Sequence, residues 1–397
     1  MSDMQHVDVA SIQDAIRAEG IDGWLFFDHH RRDMLAYRVL RFEPTGHVTR
    51  RWYYFIPAQG EARGLVHGIE SHTLDSLPGR KAVYGNWPSQ KEGLAYLIDG
   101  ARRIAMQYSP MCAIPYVSNV DAGTIELVRS LGVEIVSSAD LIQQFEATWT
   151  DAQYRSHIEA GKLVDEIRGQ AFRMIGERLA AGASVDEYAV KVFIREAFDR
   201  AGMVTDGGPI VGVNENMSDP HYEPESGTAR PIRAGDAVLI DMWAKLNREH
   251  AVYYDITWTG FCGPSVPENI ARVFGIVREA RDRAVDTVRT AVASGRLLRG
   301  FEVDDAARGW IAGQGYGEYF IHRTGHSIGE DVHGTGANMD NFETHDVRRV
   351  IANTCFSVEP GVYLPEFGIR SEVNVFVGSG EAQVTGEAQQ EMVRIGA

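Results

Sequence analysis

Four acidic residues stand where acids are out of place: Asp241 at the end of AVLID, Asp255 inside VYYDITW, Glu359 after CFSV and Glu372 inside IRSEVNVFV. Aspartate and glutamate normally sit on the surface, so carboxylates embedded in apolar, strand-like sequence are the informative ones. A buried carboxylate is costly unless it is paired or bound to a cation, and four together require a compensating positive charge. Arg370 is the only basic residue close beside them, so a bound metal is the simpler answer. His326, in the glycine-flanked run RTGHSIG, adds an imidazole. Four carboxylates and one imidazole are a hard-to-borderline donor set suited to Mn²⁺, Co²⁺ or Zn²⁺ and unsuited to a thiolate-loving metal. Such a set suffices for two ions about 3.5 Å apart with a water between them, whose pKa the ions lower toward neutrality. A lone strand acid is ordinarily a turn, edge or salt-bridged residue, and a lone histidine is ordinarily structural. The five taken together carry the inference.

The flanking sequence must bring them together. Asp241 and Asp255 lie on successive strand-like runs joined by the polar KLNREH segment, so an antiparallel hairpin can place both carboxylates at one end of a sheet. Glu359 and Glu372 repeat the arrangement around a Pro-Gly turn region. Upstream, TDAQYRSHIEAGKLVDEIRGQAFRMIGERLAAG holds a helical period until Gly182. A second helix is expected to open at Ser184 with Glu187 in a capping box, ahead of the apolar positions Tyr188, Val192 and Phe198. Strand runs PIVGVN, DAVLIDMW and VYYDITWTGF follow, then a long helix from Pro267 to about Ser294 and a shorter one near Asp304 to Gly313. Clustered helices and strands are an α+β pattern. Residues 9 to 149 instead alternate helix-like and strand-like segments, ending in a helix, a Gly132 stop and the strand VEIVSS, which argues an α/β domain. The expected division is therefore 1–150, α/β and without a catalytic cluster, and 151–397, α+β and carrying the chemistry.

Composition agrees. At 397 residues the chain is too long for one ordinary core. A formal net charge of −16, from 55 acids against 39 Lys and Arg, repels nucleic acid and anionic lipid and leaves small molecules or peptides as partners. The opening MSDMQHVDVASIQDAIRAEG has charges throughout and no apolar signal core, and no apolar run is long enough to span a bilayer, so a cytoplasmic protein is expected. Cys112, Cys262 and Cys355 are odd in number and widely spaced, implying neither a disulfide framework nor a thiolate zinc site.

With these residues in view, the chain resembles the pita-bread metallopeptidases, in particular the Xaa-Pro peptidases aminopeptidase P and prolidase. The resemblance rests on the order Asp241, Asp255, His326, Glu359, Glu372 and on the strings DITWTG, HRTGHSIG, VEPGVY and GIRSE. It covers about 151–397, and the first half is similar to the smaller non-catalytic domain of the same proteins. The resemblance implies that Asp255 and Glu372 bridge two ions, that Asp241 chelates one, and that His326 and Glu359 complete the other. It also implies that His333 meets the developing oxyanion, that His221 in SDPHYEP lines the substrate pocket with neighbours such as Tyr222, and that Tyr363 and Arg370 assist positioning and proton transfer. Glu359 would take and return the proton of the attacking water. Mn²⁺ is the expected metal, with Co²⁺ or Zn²⁺ as alternatives; the substrate is a small peptide, Xaa-Pro alone or at the start of a longer chain, and the expected assembly is a homodimer.

Three departures bear on specificity. Thirteen residues separate Asp241 from Asp255, more than is usual in the family, Trp243 stands where a glycine is common, and Gly334 follows His333 where an acid is frequent. They keep a neighbouring reading open, a creatinase-like or lyase-like member acting on a small non-peptide metabolite. A binding module that has lost catalysis is disfavoured because all five cage residues are present. Gly325-His326-Ser327-Ile328-Gly329 is formally the G-x-S-x-G of serine esterases, but the Gly-rich EDVHGTGAN after it does not suit the helix that motif requires.

Overall fold

Six short aromatic and β-branched runs build one sheet in the first unit: β1 (Gly23–Asp28), β2 (Trp52–Pro57), β3 (Arg63–His67), β4 (Arg80–Tyr84), β5 (Arg103–Met106) and β6 (Glu134–Ser137). The computed structural model describes residues 7–44 and 46–396; the opening MSDMQH, read above for a signal core, lies outside them. The chain divides into two compact units, Met1–Glu146 and Ala147–Ala397, a break slightly earlier than the expected 150.

In the first unit the strand order is β4-β3-β2-β1-β5-β6, with β2 antiparallel to both neighbours and every other pair parallel. Among the described residues five α-helices accompany it: α1 (Val9–Ala18), α2 (Met34–Leu40), α3 (Trp87–Leu97), α4 (Ala122–Arg129) and α5 (Ala139–Glu146). Side chains alternate across the central strands. Trp24, Phe26, Trp52 and Tyr54 enter one core and Leu25, Phe27, Tyr53 and Phe55 the other, so the runs Trp24–Phe27 and Trp52–Ile56 are aromatic or aliphatic at every position because both faces are covered.

The second unit opens with α6 (Asp151–Ala180), started by a capping box in which Thr150 accepts from Gln153 N and Gln153 reciprocates. After Gly182 comes α7 (Glu187–Arg200), and here the sequence expectation fails. Asp186 is the cap, accepting from Ala189 N at 2.8 Å. Glu187 is fully buried and accepts from Val213 N, Arg230 N, the Asn216 amide and the Tyr222 hydroxyl instead. A carboxylate that can satisfy several buried donors is worth more there than at a solvent-exposed helix end. Tyr188 is exposed, and Val190, Ile194 and Phe198 form the packed face.

One sheet contains β7 (Met203–Val204), β8 (Ile210–Val213), β9 (Ala237–Leu246), β10 (Tyr254–Phe261) and β17 (Val393–Arg394), with β9 at its centre. A second runs β11 (Ser327–Ile328), β12 (Thr354–Val358), β15 (Val373–Val377), β16 (Ala382–Val384), and β13 (Gly361–Tyr363) pairs with β14 (Gly368–Arg370) in a separate hairpin. Helices α6 and α7 pack on one side of the β8–β10 strands, while α8 (Glu268–Ser294) and α9 (Gly300–Gly313) pack against residues of both sheets in the largest core. Gly161 marks a close approach within this packing, since a Cβ there would lie 2.7 Å from the ring of Tyr254. Among the described residues no helix is long and apolar enough to cross a membrane.

Candidate metal centre and active site

The expected hairpin exists. β9 and β10 are antiparallel, with Asp241 opposite Thr257 and Asp255 opposite Trp243. Asp241 and Asp255 are therefore diagonal neighbours on one face of the ladder. The thirteen-residue interval folds onto the body of the unit. Val252 and Tyr253 are buried with Trp149, Ile328 and Val332, and Tyr253 N donates to Gly329 O at 2.9 Å.

Glu359 directly follows β12 and Glu372 directly precedes β15, and these strands pair through Val358 and Val373. The β13–β14 hairpin fills the connection and sets Tyr363 and Arg370 beside them. The two sheets are tied at this point by Glu372 N donating to Thr257 O at 3.2 Å and by the Asn374 amide, which gives to Asp255 O at 2.7 Å and accepts from Asp255 N at 3.2 Å. Carboxylates 117 residues apart thereby meet at a sheet junction.

His326 immediately precedes β11. Its backbone N–H donates to Ser357 Oγ and its Nδ1 to Ser327 O at 3.2 Å, which leaves the Nε2 lone pair free. Nε2 lies 3.5 Å from Asp255 Oδ2 and 3.6 Å from Glu359 Oε1. Burial holds this imidazole below its ordinary pKa, so it is neutral at pH 7, the form a metal requires. Ligand atoms of Asp255, His326 and Glu372 all lie within 4.8 Å of one another.

Arg370 offers one countercharge. It pairs with Asp241, donates to Thr257 Oγ1 and Tyr363 Oη, and its Nε stands 4.0 Å from Glu359 Oε2. One guanidinium cannot balance four buried carboxylates. Among the described residues Asp255 Oδ1 and Glu372 Oε1 are buried with no hydrogen-bond partner, and burial drives the Asp255 carboxyl up to about 7, the Asp241 carboxyl up to about 6 and those of Glu359 and Glu372 upward. Buried oxygens are almost always satisfied, so two orphans beside an available imidazole nitrogen fit a divalent cation.

The ring of His333 meets that of His326 edge-on at 4.4 Å, and burial, followed by the repulsion that protonating both rings would bring, pulls its pKa down to about 3. Gly334 has a physical reason for its identity: a Cβ would lie 2.9 Å from Ser327 Oγ and 3.2 Å from Ile328 C. His221 is exposed on the loop after β8, with its backbone N–H on Asp219. It lies near enough to Asp241 and His333 to act on both electrostatically. Tyr222 is turned away by its hydroxyl bond to Glu187 at 2.7 Å. Trp243 donates its indole N–H to Asp206 at 2.7 Å and its ring covers Gly208. The Ser327 hydroxyl is buried and accepts from Gly336 N, with no histidine bonded to it among the described residues, and irregular backbone follows β11 where a nucleophile elbow needs a helix.

Sequence reasoning missed four contributors. His322 Nδ1 donates to Arg323 O, so its Nε2 accepts from Tyr363 Oη at 2.6 Å, closing a chain from Arg370 through Tyr363. Thr257 bridges Glu372 and Arg370, and Asn374 braces Asp255. Asp304 accepts from Thr324 N and Oγ1, fixing the segment whose carbonyl receives Glu359 N. Only His322 had a visible signal, its place in HRTGHSIG.

A Xaa-Pro dipeptidase of Lactobacillus delbrueckii subsp. lactis is 27% identical over 59% of this chain and 58% of its own length. A probable dipeptidase PepE of Mycobacterium bovis is 27% identical over 68% of this chain and 66% of its own. The chain thus spans somewhat under two thirds of these relatives. The crystal structure of dipeptidase PepE from Mycobacterium ulcerans shares the fold with a TM-score of 0.68 at 24% identity, covering 98% of this chain and 96% of that one. Residues 156–379, more than half of the sequence and inclusive of all five cage positions, match metallopeptidase family M24, and the chain belongs to that family.

Proposed function

We propose that the second unit hydrolyses the peptide bond preceding proline, using two divalent ions held by Asp241, Asp255, His326, Glu359 and Glu372. The observation that carries this reading is the pair of donorless buried oxygens, Asp255 Oδ1 and Glu372 Oε1, beside the free Nε2 of His326. When bound, the ions polarise the scissile carbonyl and make a water nucleophilic near neutral pH. Glu359, steadied by Ser357 Oγ at 3.3 Å, is the proton carrier. His333, neutral by virtue of its lowered pKa, donates a hydrogen bond to the carbonyl oxygen as charge develops on it. Arg370 and Tyr363 hold Asp241 and the substrate edge of the site. A bond to proline has no N–H, so selectivity comes from a ring-shaped wall, to which His221 contributes.

The reading extends to a dipeptidase acting on free Xaa-Pro, supported by the names of the relatives, and to Mn²⁺, supported by the oxygen-rich donor set. It further includes a homodimer in the cytoplasm, where three free cysteines suit a reducing compartment. Hydrolysis of Ala-Pro, Ala-Ala and a longer Ala-Pro peptide, with Mn²⁺ and after chelation, tests it. Cleavage of Ala-Pro alone, lost to chelator and restored by Mn²⁺, is expected. Chelator-insensitive cleavage, or equal cleavage of Ala-Ala, contradicts it, and a sedimentation mass near 44.0 kDa counts against the dimer.

A further inference from the structure

The first unit carries its own concentration of charge, remote in sequence from the metal cage. At the carboxyl ends of β1, β3 and β4 and the start of β2 lies an open cavity of about 980 Å³. Three arginines and three histidines line it against a single acid, Asp121, in a chain whose net charge is −16. That acid is already engaged, accepting from Thr124 N at 2.9 Å and Thr124 Oγ1 at 2.8 Å as the cap of α4.

The wall is built rather than incidental. Asp28, buried at the end of β1, accepts from Arg31 N, Arg32 N, Asp33 N and Tyr37 Oη. This acceptor set holds His30 and Arg31 at φ of 64° and 52°, a left-handed backbone uncommon for residues with a Cβ, though less so for histidine than for arginine. Strain of this kind persists where a surrounding network over-determines it and is concentrated at ligand sites. Its result is a loop that presents His29, His30 and Arg32 to the cavity while Arg31 turns to Glu43. Arg51 and His67 complete the cluster, and among the described residues no carboxylate pairs with His30, Arg32, Arg51 or His67. Arg32 directs Nε and Nη2 to His29, with Nη1 unbonded among the described residues, and His29 has its pKa lowered by burial and by the charges of His30, Arg32 and Arg51. Trp87, the first residue of α3, stands 76% exposed on the rim.

We propose that this cavity binds a small, multiply charged oxyanion, a phosphate-bearing or polycarboxylate metabolite, between Arg32, Arg51, His30 and His67. Guanidinium groups gathered in a concavity, with Asp121 acting on Arg32 at a distance but no carboxylate in ion-pair contact among the described residues, focus positive potential and suit bidentate recognition of phosphate or carboxylate. The volume lies within the range of small-molecule sites, and the carboxyl ends of parallel strands are where open α/β sheets bind ligands. Concavity favours a small ligand over a flat protein surface.

The test is calorimetric titration of the full chain with inorganic phosphate and, separately, citrate, in wild type, Arg51→Ala, Arg51→Lys and the cage variant Glu372→Gln. One saturable site per chain is expected, weakened at least tenfold in Arg51→Ala, partly kept in Arg51→Lys and unaltered in Glu372→Gln. Preference for phosphate or citrate identifies the source of the oxyanion. Absence of saturable binding of either probe overturns the proposal, as does binding that survives Arg51→Ala or vanishes with Glu372→Gln. Dissociation of an oligomer in Arg51→Ala without any anion binding also overturns it, because the cluster then seats a second copy of the chain.

Discussion

Thr257 donates its hydroxyl to Glu372 Oε2 at 2.8 Å, and this single bond orients the glutamate so that its other oxygen, Oε1, is left without a donor. The same hydroxyl accepts from Arg370 Nε at 3.0 Å. Thr257 therefore decides both where Glu372 points and how far the guanidinium reaches into the carboxylate cluster. Its hydroxyl acts on the site through these two neighbours.

Thr257→Val keeps the shape of the side chain and removes both bonds. Loss of a group that orients a ligand typically costs about 10–100-fold in metal affinity. Competition with a chromophoric chelator should show that weakening with the fold intact by circular dichroism; unchanged affinity contradicts the positioning role.

His333 is separable from the cage. His333→Ala should retain the full complement of bound metal while turnover of Ala-Pro falls about 10²–10³-fold, as when an oxyanion donor is removed. Metal analysis alongside kcat distinguishes the outcomes, since loss of metal together with turnover would make His333 a ligand.

Gly161→Ala tests the packing of α6 on β10. Its Cβ would meet Tyr254 at 2.7 Å, an overpacking cost of about 1–3 kcal/mol, offset by about 1 kcal/mol of helix propensity. A lowered urea midpoint at constant slope is expected, and a raised midpoint would show that the ring can yield.

His157 gives a pH dependence outside the site. It is fully buried, with Nδ1 donating to Tyr253 O at 2.7 Å and Nε2 on Thr385 Oγ1 at 2.6 Å, and burial depresses its pKa from 6.5 to about 4. Between those values the unfolded chain binds a proton that the native chain refuses. Stability contributed by the neutral imidazole is therefore complete above about pH 6.5 and is lost as pH falls toward 4, by about 3 kcal/mol at full extent. The difference in unfolding free energy between wild type and His157→Gln, measured from pH 7.5 to 4.5, should shrink on acidification; a difference independent of pH contradicts the assignment.

Much of this arrangement is legible in the sequence because it is local. Asp241 and Asp255 interrupt apolar runs, and KLNREH between them announces the hairpin; Thr150 and Gln153 start α6 through contacts three residues apart. The parts that are not legible depend on distant partners. Glu187 resembles a capping residue until Val213, Tyr222 and Arg230 are folded against it, and Thr257 and Asn374 read as ordinary strand residues until β10 meets β15. Trp243 is visible as a departure, yet its bond to Asp206 is a property of the fold alone.

The claim on which the rest depends is that the buried acids and His326 hold a pair of cations. Elemental analysis of the full chain, loaded with Mn²⁺ and passed through a desalting column, measures it directly. Two ions per chain in wild type, reduced to one or none in Glu372→Gln, is the predicted result. A wild-type chain that leaves the column without metal and still cleaves Ala-Pro would contradict it.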